Sequence, residues 1–174
     1  MLFRSLPSEA QWEKAARGGL RLPLGVLPPS KPGDLHGGPP AVALVRDNPA
    51  PHRRWPWEQD GPDPERMNFH ATEIGGPSAL GCFPAGSSPH GCEEMVGNVF
   101  EWTASLWADG KPYPESAADR AARDALTGTG SRVVRGGSWG DGRHGARAAA
   151  RGDGDPHGRF DSIGLRVLCV SPIH

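Results

Sequence analysis

Glycine and proline interrupt this sequence so often that few long helices or strands can form. The chain of 174 residues contains 25 glycines and 19 prolines, together about a quarter of its length. It also contains six tryptophans, which disordered chains rarely carry. A chain of this length can close one hydrophobic core. We therefore predict a loop-rich globular domain with irregular insertions.

The charge and hydropathy of the chain argue against several classes of protein. Its formal net charge is −1, so no general attraction to nucleic acid or to anionic membranes follows. No apolar run approaches the roughly 18 residues that cross a bilayer. The N-terminal sequence lacks the apolar core of a signal peptide. We expect no nucleic-acid partner, no membrane span and, by default, a cytoplasmic location.

Two helices are predicted from capping signals. Ser8 and Gln11 have the spacing of a capping box, and the pattern predicts a helix over residues 8–17. The segment 116–127 is rich in alanine and charged residues and predicts a second helix, which Gly128 would end.

Strand patterns are shorter. Residues 131–135 and 164–170 predict two strands, and residues 41–45 could form another inside the Pro/Gly-rich stretch 20–54. The stretch 140–162 consists almost entirely of small and polar residues. We predict that it is a long surface loop between the two strands.

The three cysteines, Cys82, Cys92 and Cys169, are too few for a disulfide scaffold and do not have zinc-site spacing. Two alternatives stay open at this point. Either Cys82 and Cys92 form a bridge, or the thiols are reduced, which is the usual state in the cytosol.

Four motifs then occur in order along most of the chain. They are LPSEAQWEKAARGG at 6–19, PWEQDGPDPERMNF at 56–69, MVGNVFEWT at 95–103, and RVVRGGSW with SIGLRV at 132–139 and 162–167. Together they resemble the formylglycine-generating enzyme family, also called the sulfatase-modifying-factor domain. The resemblance implies a C-type-lectin-like α+β fold, irregular and low in regular secondary structure. It implies one domain over 1–174, with an insertion at about 20–54 and an N-terminal piece that is missing or supplied by a partner or second chain.

The catalytic residues of the family are absent. Its enzymes use a cysteine pair after the GGS-[WY] motif to bind copper and oxidise a substrate cysteine, and soft thiolates suit Cu(I). Residues 138–162 contain no cysteine, and Asp141 and His144 lie where the pair would be. A sulfoxide-forming branch needs a three-histidine iron site on a separate helical domain, and no such cluster occurs here. We expect no catalytic residues and no copper. A formylglycine-generating-type oxidoreductase acting on a protein cysteine stays the alternative.

A third branch of the family is not enzymatic. It comprises the variable proteins of diversity-generating retroelements, in which adenines, mostly in AAC codons, are randomised to change a binding surface. Such codons never yield Lys, Glu, Gln, Met or Trp. These five types supply 23 of the 174 residues, yet none lies within 140–162. The resemblance therefore implies a non-catalytic ligand-binding protein whose partner is another protein or macromolecule.

Within 140–162 the resemblance separates two sets of residues. The positions that are usually constant match Ala146, Arg147, Ala149, Arg151, Pro156 and Arg159. The predicted variable, ligand-binding positions are Gly140, Asp141, Gly142, Arg143, His144, Gly145, Gly152, Asp153, Gly154, Asp155, His157, Gly158, Phe160, Asp161 and Ser162. Phe160 is the one aromatic residue among them and is the expected hydrophobic anchor. A plain Gly/Asp loop on a structural or interaction domain is the competing interpretation.

The resemblance also implies structural calcium, held by oxygen ligands. The carried-over ligands are the carbonyls of Val96, Gly97 and Val99 with the Glu101 carboxylate, and at a second site Asn68 with the carbonyl of Phe69. For Glu101 the alternative is a structural carboxylate paired with an arginine. The arginines of the C-terminal part alternate with aspartates, so we interpret most of them as structural.

Overall fold

A computed structural model describes residues 3–24, 45–58, 61–108, 114 and 116–170. The regular elements of these residues are β1 (Phe3–Ser5), α1 (Glu9–Arg17), β2 (Arg21–Pro23), β3 (Val45–Asp47), β4 (Phe100–Leu106), α2 (Ala117–Arg123), β5 (Arg132–Arg135), β6 (Arg151–Gly154), β7 (Ile163–Leu165) and β8 (Leu168–Val170). Two single-turn 3₁₀ helices, His70–Thr72 and Pro84–Gly86, lie in the long connection before β4. This mixture of short elements confirms the predicted α+β class and the low content of regular structure.

Helix α1 forms as its sequence predicts. The Gln11 amide donates to Ser8 Oγ at 3.2 Å, and the Ser8 amide donates to Gln11 Oε1 at 2.8 Å, which completes the capping box. Gly18 ends the helix with a φ of 91°, a left-handed conformation that favours glycine.

Helix α2 begins at the expected N-cap, Ser116, but ends four residues earlier than predicted. Asp124 is its C-cap, so the prediction that Gly128 ends the helix was wrong. After the helix ends, the guanidinium of Arg132 supplies hydrogen bonds to the carbonyls of the irregular segment that follows. It donates to the carbonyls of Ala125, Leu126 and Gly128 at 3.0–3.1 Å.

The largest sheet has four strands in the order β6-β5-β4-β7. Strand β5 is antiparallel to both of its neighbours, β6 and β4, whereas β7 is parallel to β4. Strands β1 and β8 form a separate antiparallel pair, and β2 and β3 form another. Among the described residues the two chain ends are therefore joined by hydrogen bonds.

Two strand predictions need correction. The segment 164–170 contains two strands in different sheets, because Arg166 turns inward between them to reach Glu101. Strand β6 lies inside the stretch predicted as a loop, since pairing with β5 overrides its poor intrinsic preference for strand. Residues 41–44 of the possible strand 41–45 lie outside the described residues, and Val45 begins the described strand Val45–Asp47.

The core lies between α1 and the irregular segments around it. Its buried members are Trp12, Ala16, Met67, Phe69, Met95, Val96, Ala146 and Ala148. All three cysteines are free, so the predicted alternative of a Cys82–Cys92 bridge is not realised. No helix of the described residues is sufficiently long and apolar to cross a membrane.

Candidate functional site

The two ends of the stretch 140–162 are brought together by the segment that leads into β4. The Trp139 amide donates to the carbonyl of Asn98 at 2.8 Å. Two residues later, the Phe100 amide donates to the carbonyl of Ser162, also at 2.8 Å. The stretch 140–162 therefore starts and ends beside the same segment, residues 98–100, and the two ends of the stretch lie close together.

Asn98 makes hydrogen bonds to several segments that meet beside the ends of this stretch. The sequence analysis did not identify it as a functional residue. It has a φ of 60°, and its amide donates to the Asn68 carbonyl at 2.7 Å. Its side chain accepts from the Ser78 amide at 2.9 Å and donates to Glu94 Oε2 at 2.8 Å. An asparagine after glycine in the MVGNV motif is a signal for such a left-handed residue.

Asp141 stabilises the first part of the stretch rather than facing a ligand. Its carboxylate accepts from the Ser138 amide at 2.8 Å and from Ser138 Oγ at 2.7 Å. Its carbonyl accepts from the His70 amide at 3.0 Å. The neighbouring residues Arg143 and His144 are exposed.

Several of the alanines that follow are buried. We call the buried and packed residues of the stretch 140–162 the frame. Ala146, one of the positions that are usually constant, and Ala148 are fully buried in the core. Ala149 is half-buried, so the inward position is taken by Ala148 and Ala150 instead. The buried guanidinium of Arg135 donates to the carbonyls of Ala148 and Ala150 at 3.1 Å and fixes this turn.

Strand β6 divides its residues between the two faces of the sheet. Arg151 pairs with Glu9 of α1, so its side chain points towards the helix. Because side chains alternate between the two faces of a strand, every second residue of β6, counted from Arg151, lies on that face. Asp153 therefore shares that face. Gly154 lies on the other face and is buried against the indole of Trp102, which a Cβ atom would overlap.

The connection from β6 to β7, residues 155–162, must pass two strands. Strands β6 and β7 are the opposite edges of the sheet, with β5 and β4 between them. Along this crossing Asp155, His157, Phe160 and Asp161 are exposed, and Phe160 is 54% exposed despite its large apolar ring.

The structure thus divides the predicted variable positions into three groups. The exposed ones are Gly140, Gly142, Arg143, His144, Asp153, Asp155, His157, Phe160 and Asp161. The half-buried ones are Asp141, Gly145, Gly152, Gly158 and Ser162, and Gly154 is buried. A side chain at Gly145 would overlap Asp141, and one at Gly158 would overlap Phe160.

Several arginines tie the irregular segments together, as predicted. Arg135 Nη2 donates to Glu13 at 2.5 Å, and its guanidinium lies 5.0 Å above the Trp12 ring. Arg151 pairs with Glu9 and lies 5.0 Å from the ring of Trp107. Among the positions expected to be constant, Arg147 is half-buried, whereas Pro156 and Arg159 are exposed.

Glu101 occupies the centre of a hydrogen-bonded cluster. Its Oε1 accepts from Arg166 Nη2 at 2.7 Å, and its Oε2 accepts from Arg166 Nε at 2.9 Å and from Trp12 Nε1 at 2.7 Å. Burial alone would lower the pKa of Arg166, but the hydrogen bond and charge of Glu101 raise it above the ordinary value. Both carboxylate oxygens are thus engaged by protein donors.

Asn68 presents a different environment. It is 1% exposed, its Nδ2 donates to the carbonyl of Gly76 at 2.9 Å, and its Oδ1 is buried without a partner among the described residues. Such an orphan acceptor suits a cation or a buried water. The described residues contain no group of three or more His, Cys, Asp or Glu side chains that could hold a metal.

Comparison with known proteins identifies the architecture. The family model for the sulfatase-modifying factor enzyme 1-like domain matches residues 3–170. The chain belongs to this family. A hercynine oxygenase of Mycolicibacterium thermoresistibile is 36% identical over 90 residues, covering 50% of this chain and 20% of that protein. The inactive C-alpha-formylglycine-generating enzyme 2 of Bos taurus is 31% identical over 173 residues, covering 97% of this chain and 44% of that protein.

A comparison with solved structures finds a similar fold over nearly the whole chain. Treponema denticola variable protein 1 superimposes with a TM-score of 0.58 at 20% identity, covering 97% of this chain and 48% of that one. This likeness shows the fold. The chain spans less than half the length of each of these three relatives.

Proposed function

We propose that this member of the sulfatase-modifying-factor family is a non-catalytic ligand-binding protein that resembles retroelement variable proteins in its use of the fold. The observation that carries the proposal is the separation of the stretch 140–162 into exposed polar side chains and a packed frame. We define the exposed loop set as Arg143, His144, Asp155, His157, Phe160 and Asp161.

The chemistry of the exposed loop set suits a macromolecular surface. Arginine, aspartate and histidine side chains together provide both hydrogen-bond donors and hydrogen-bond acceptors. Phe160 provides the apolar contact that most binding surfaces need at their centre. Gly140 and Gly142 are exposed and let a partner approach the backbone.

This surface is narrower than the fifteen positions predicted from the sequence. Asp141 holds Ser138, and Gly154 lies under Trp102, so substitution there would disturb the frame. Asp153 is exposed, and it lies on the same face of β6 as Arg151, which pairs with Glu9 of α1. A scaffold that accepts many substitutions must exclude such positions from its binding surface.

The nucleotide sequence around the gene tests the proposal. We expect a nearby reverse transcriptase and a near-identical template repeat that differs from the gene only at template adenines. The differing codons should encode the exposed loop set and should spare Ala146, Ala148 and Gly154. A repeat with differences spread over buried positions, or the absence of any repeat, would contradict the variable-surface function.

The family also contains enzymes, so oxidation of a protein cysteine is the second candidate. The argument against it is chemical, because the stretch 138–162 has no thiolate to hold Cu(I). Anaerobic titration with Cu(I) should detect no high-affinity site, and a peptide with the sulfatase cysteine motif should stay unoxidised. Turnover of that peptide would establish the enzyme instead.

We further propose that a structural calcium ion is held at Asn68, with the carbonyl of Phe69, rather than at Glu101. The unpartnered Asn68 Oδ1 supports this choice, whereas an ion at Glu101 would have to displace Arg166. Calcium should raise the melting temperature of the wild type and raise that of Asn68→Asp more. A response that is absent from the wild type, or lost only in Glu101→Gln, would refute the assignment.

A further inference from the structure

A second concave surface lies on α1, apart from the exposed loop set. Its lining includes Ala10, Lys14 and Arg17 of the helix, together with Leu20, Pro51 and Arg151. The cavity has a volume of about 500 Å³, which is the size of sites that hold small molecules. We call it the α1 groove.

Positive charge exceeds negative charge around the α1 groove. The Glu9 carboxylate faces Arg123 at 3.8 Å and Arg135 at 3.5 Å, and it also pairs with Arg151. Glu13 pairs with Arg17 at 3.2 Å and with Arg135 at 2.5 Å. Of the charged side chains that line the groove itself, Glu9 and Glu13 are carboxylates and Lys14, Arg17 and Arg151 are cations, so cations exceed carboxylates by one.

Two further observations concern the hydrogen bonding of Arg17 in the groove and the charge around Arg135 beside it. Arg17 Nε is buried and has no hydrogen-bond partner among the described residues. Burial lowers the pKa of Arg135, Glu13 and Glu9 oppose that shift, and the charges of Arg151 and Arg17 lower the pKa further. Crowded cations of this kind are stabilised when an anion binds between them.

We propose that the α1 groove binds a small organic anion that carries a phosphate or carboxylate group. Lys14 and Arg17 face the oxyanion, and the hydrocarbon groups of Ala10, Leu20 and Pro51 contact the apolar remainder of the molecule. A guanidinium fork matches the geometry of both oxyanions, which is why the ligand class covers both. The site is independent of the exposed loop set.

The test is an NMR titration of amide resonances with inorganic phosphate, phenyl phosphate and benzoate at constant ionic strength. We expect saturable shifts in α1 with phenyl phosphate and benzoate. Inorganic phosphate should bind about tenfold more weakly than phenyl phosphate, because it lacks an apolar group. Failure of all three probes to give saturable shifts in α1, or equal affinity for the two phosphates, would overturn the proposal.

Charge-removing variants locate the site. Lys14→Gln, at an exposed position that can be changed without loss of folding, should weaken phenyl phosphate binding about tenfold, as should Arg17→Gln. The matched control is Arg21→Gln, which removes an exposed cation outside the groove and should leave the affinity unchanged. Equal weakening by Lys14→Gln and Arg21→Gln would show unspecific attraction and refute the site. None of these variants changes a residue of the exposed loop set.

Discussion

Two glycines of the stretch 140–162 provide a sharp test of the division between frame and surface. Both Gly142 and Gly154 were predicted variable from the sequence, and neither has a positive φ. An alanine Cβ at Gly142 would meet no heavy atom of the described residues within 4 Å. The same atom at Gly154 would overlap ring carbons of Trp102 and lie 3.1 Å from Val134 Cγ1.

The expected magnitudes follow from these contacts. Replacing glycine by alanine restricts the unfolded chain equally in both variants, so the difference between them isolates the overlap. Gly154→Ala should lose about 1–3 kcal/mol of unfolding free energy, the usual cost of overpacking. Gly142→Ala should stay within about 0.5 kcal/mol of the wild type. Each lost kcal/mol lowers the melting temperature of a domain this size by about 2–4 °C.

Urea unfolding followed by tryptophan fluorescence measures both variants against the wild type. Equal stability of Gly142→Ala and Gly154→Ala would refute the argument that Gly154 belongs to the frame. A large loss in Gly142→Ala would equally refute the open position of that residue.

Three further predictions concern the same surface and its support. Replacing Arg143, His144, Asp155, His157 and Phe160 together by alanine should cost about 0.5 kcal/mol or less per site and thus about 2.5 kcal/mol at most, whereas Trp102→Ala alone should cost about 3–5 kcal/mol. Thermal melting that ranks the two variants in the opposite order would place the exposed loop set in the core. Asp141→Ala should cost about 1–2 kcal/mol, because it removes the Oδ2 atom that accepts two hydrogen bonds from Ser138, and urea unfolding that matches the wild type would contradict that role. Burial lowers the pKa of His90 below 6.5, so the unfolded state takes up the proton first and stability should fall as the pH drops below that value; His90→Gln should flatten this pH dependence of the melting temperature, and an unchanged slope would refute it.

Local signals in the sequence predicted the parts of the fold that local interactions determine. The capping box of Ser8 and Gln11 specified α1, and the RVVR segment specified β5. The existence of β6 depends on pairing with β5, and the carbonyls after the end of α2 accept hydrogen bonds from Arg132. No pattern within these segments encodes such contacts.

The candidate site remains a prediction from the sequence, and the structure describes which of its side chains are exposed. Its location within 140–162 followed from motif order and from residue types. The exposure of its side chains depends on which residues of β6 face each side of the sheet and on the position of Trp102. A sequence of glycines and aspartates indicates neither of these. The roles of Asp141 and Asn98 likewise arise from hydrogen bonds across the fold.

A display experiment with two libraries tests the central claim most directly. One library randomises the exposed loop set, and the other randomises Ala146, Ala148 and Gly154, with protease resistance as the measure of folding. We expect most members of the first library to resist the protease as the wild type does, and few of the second. Equal loss of resistance in both libraries would contradict the claim that residues 140–162 carry a substitutable binding surface on a fixed frame.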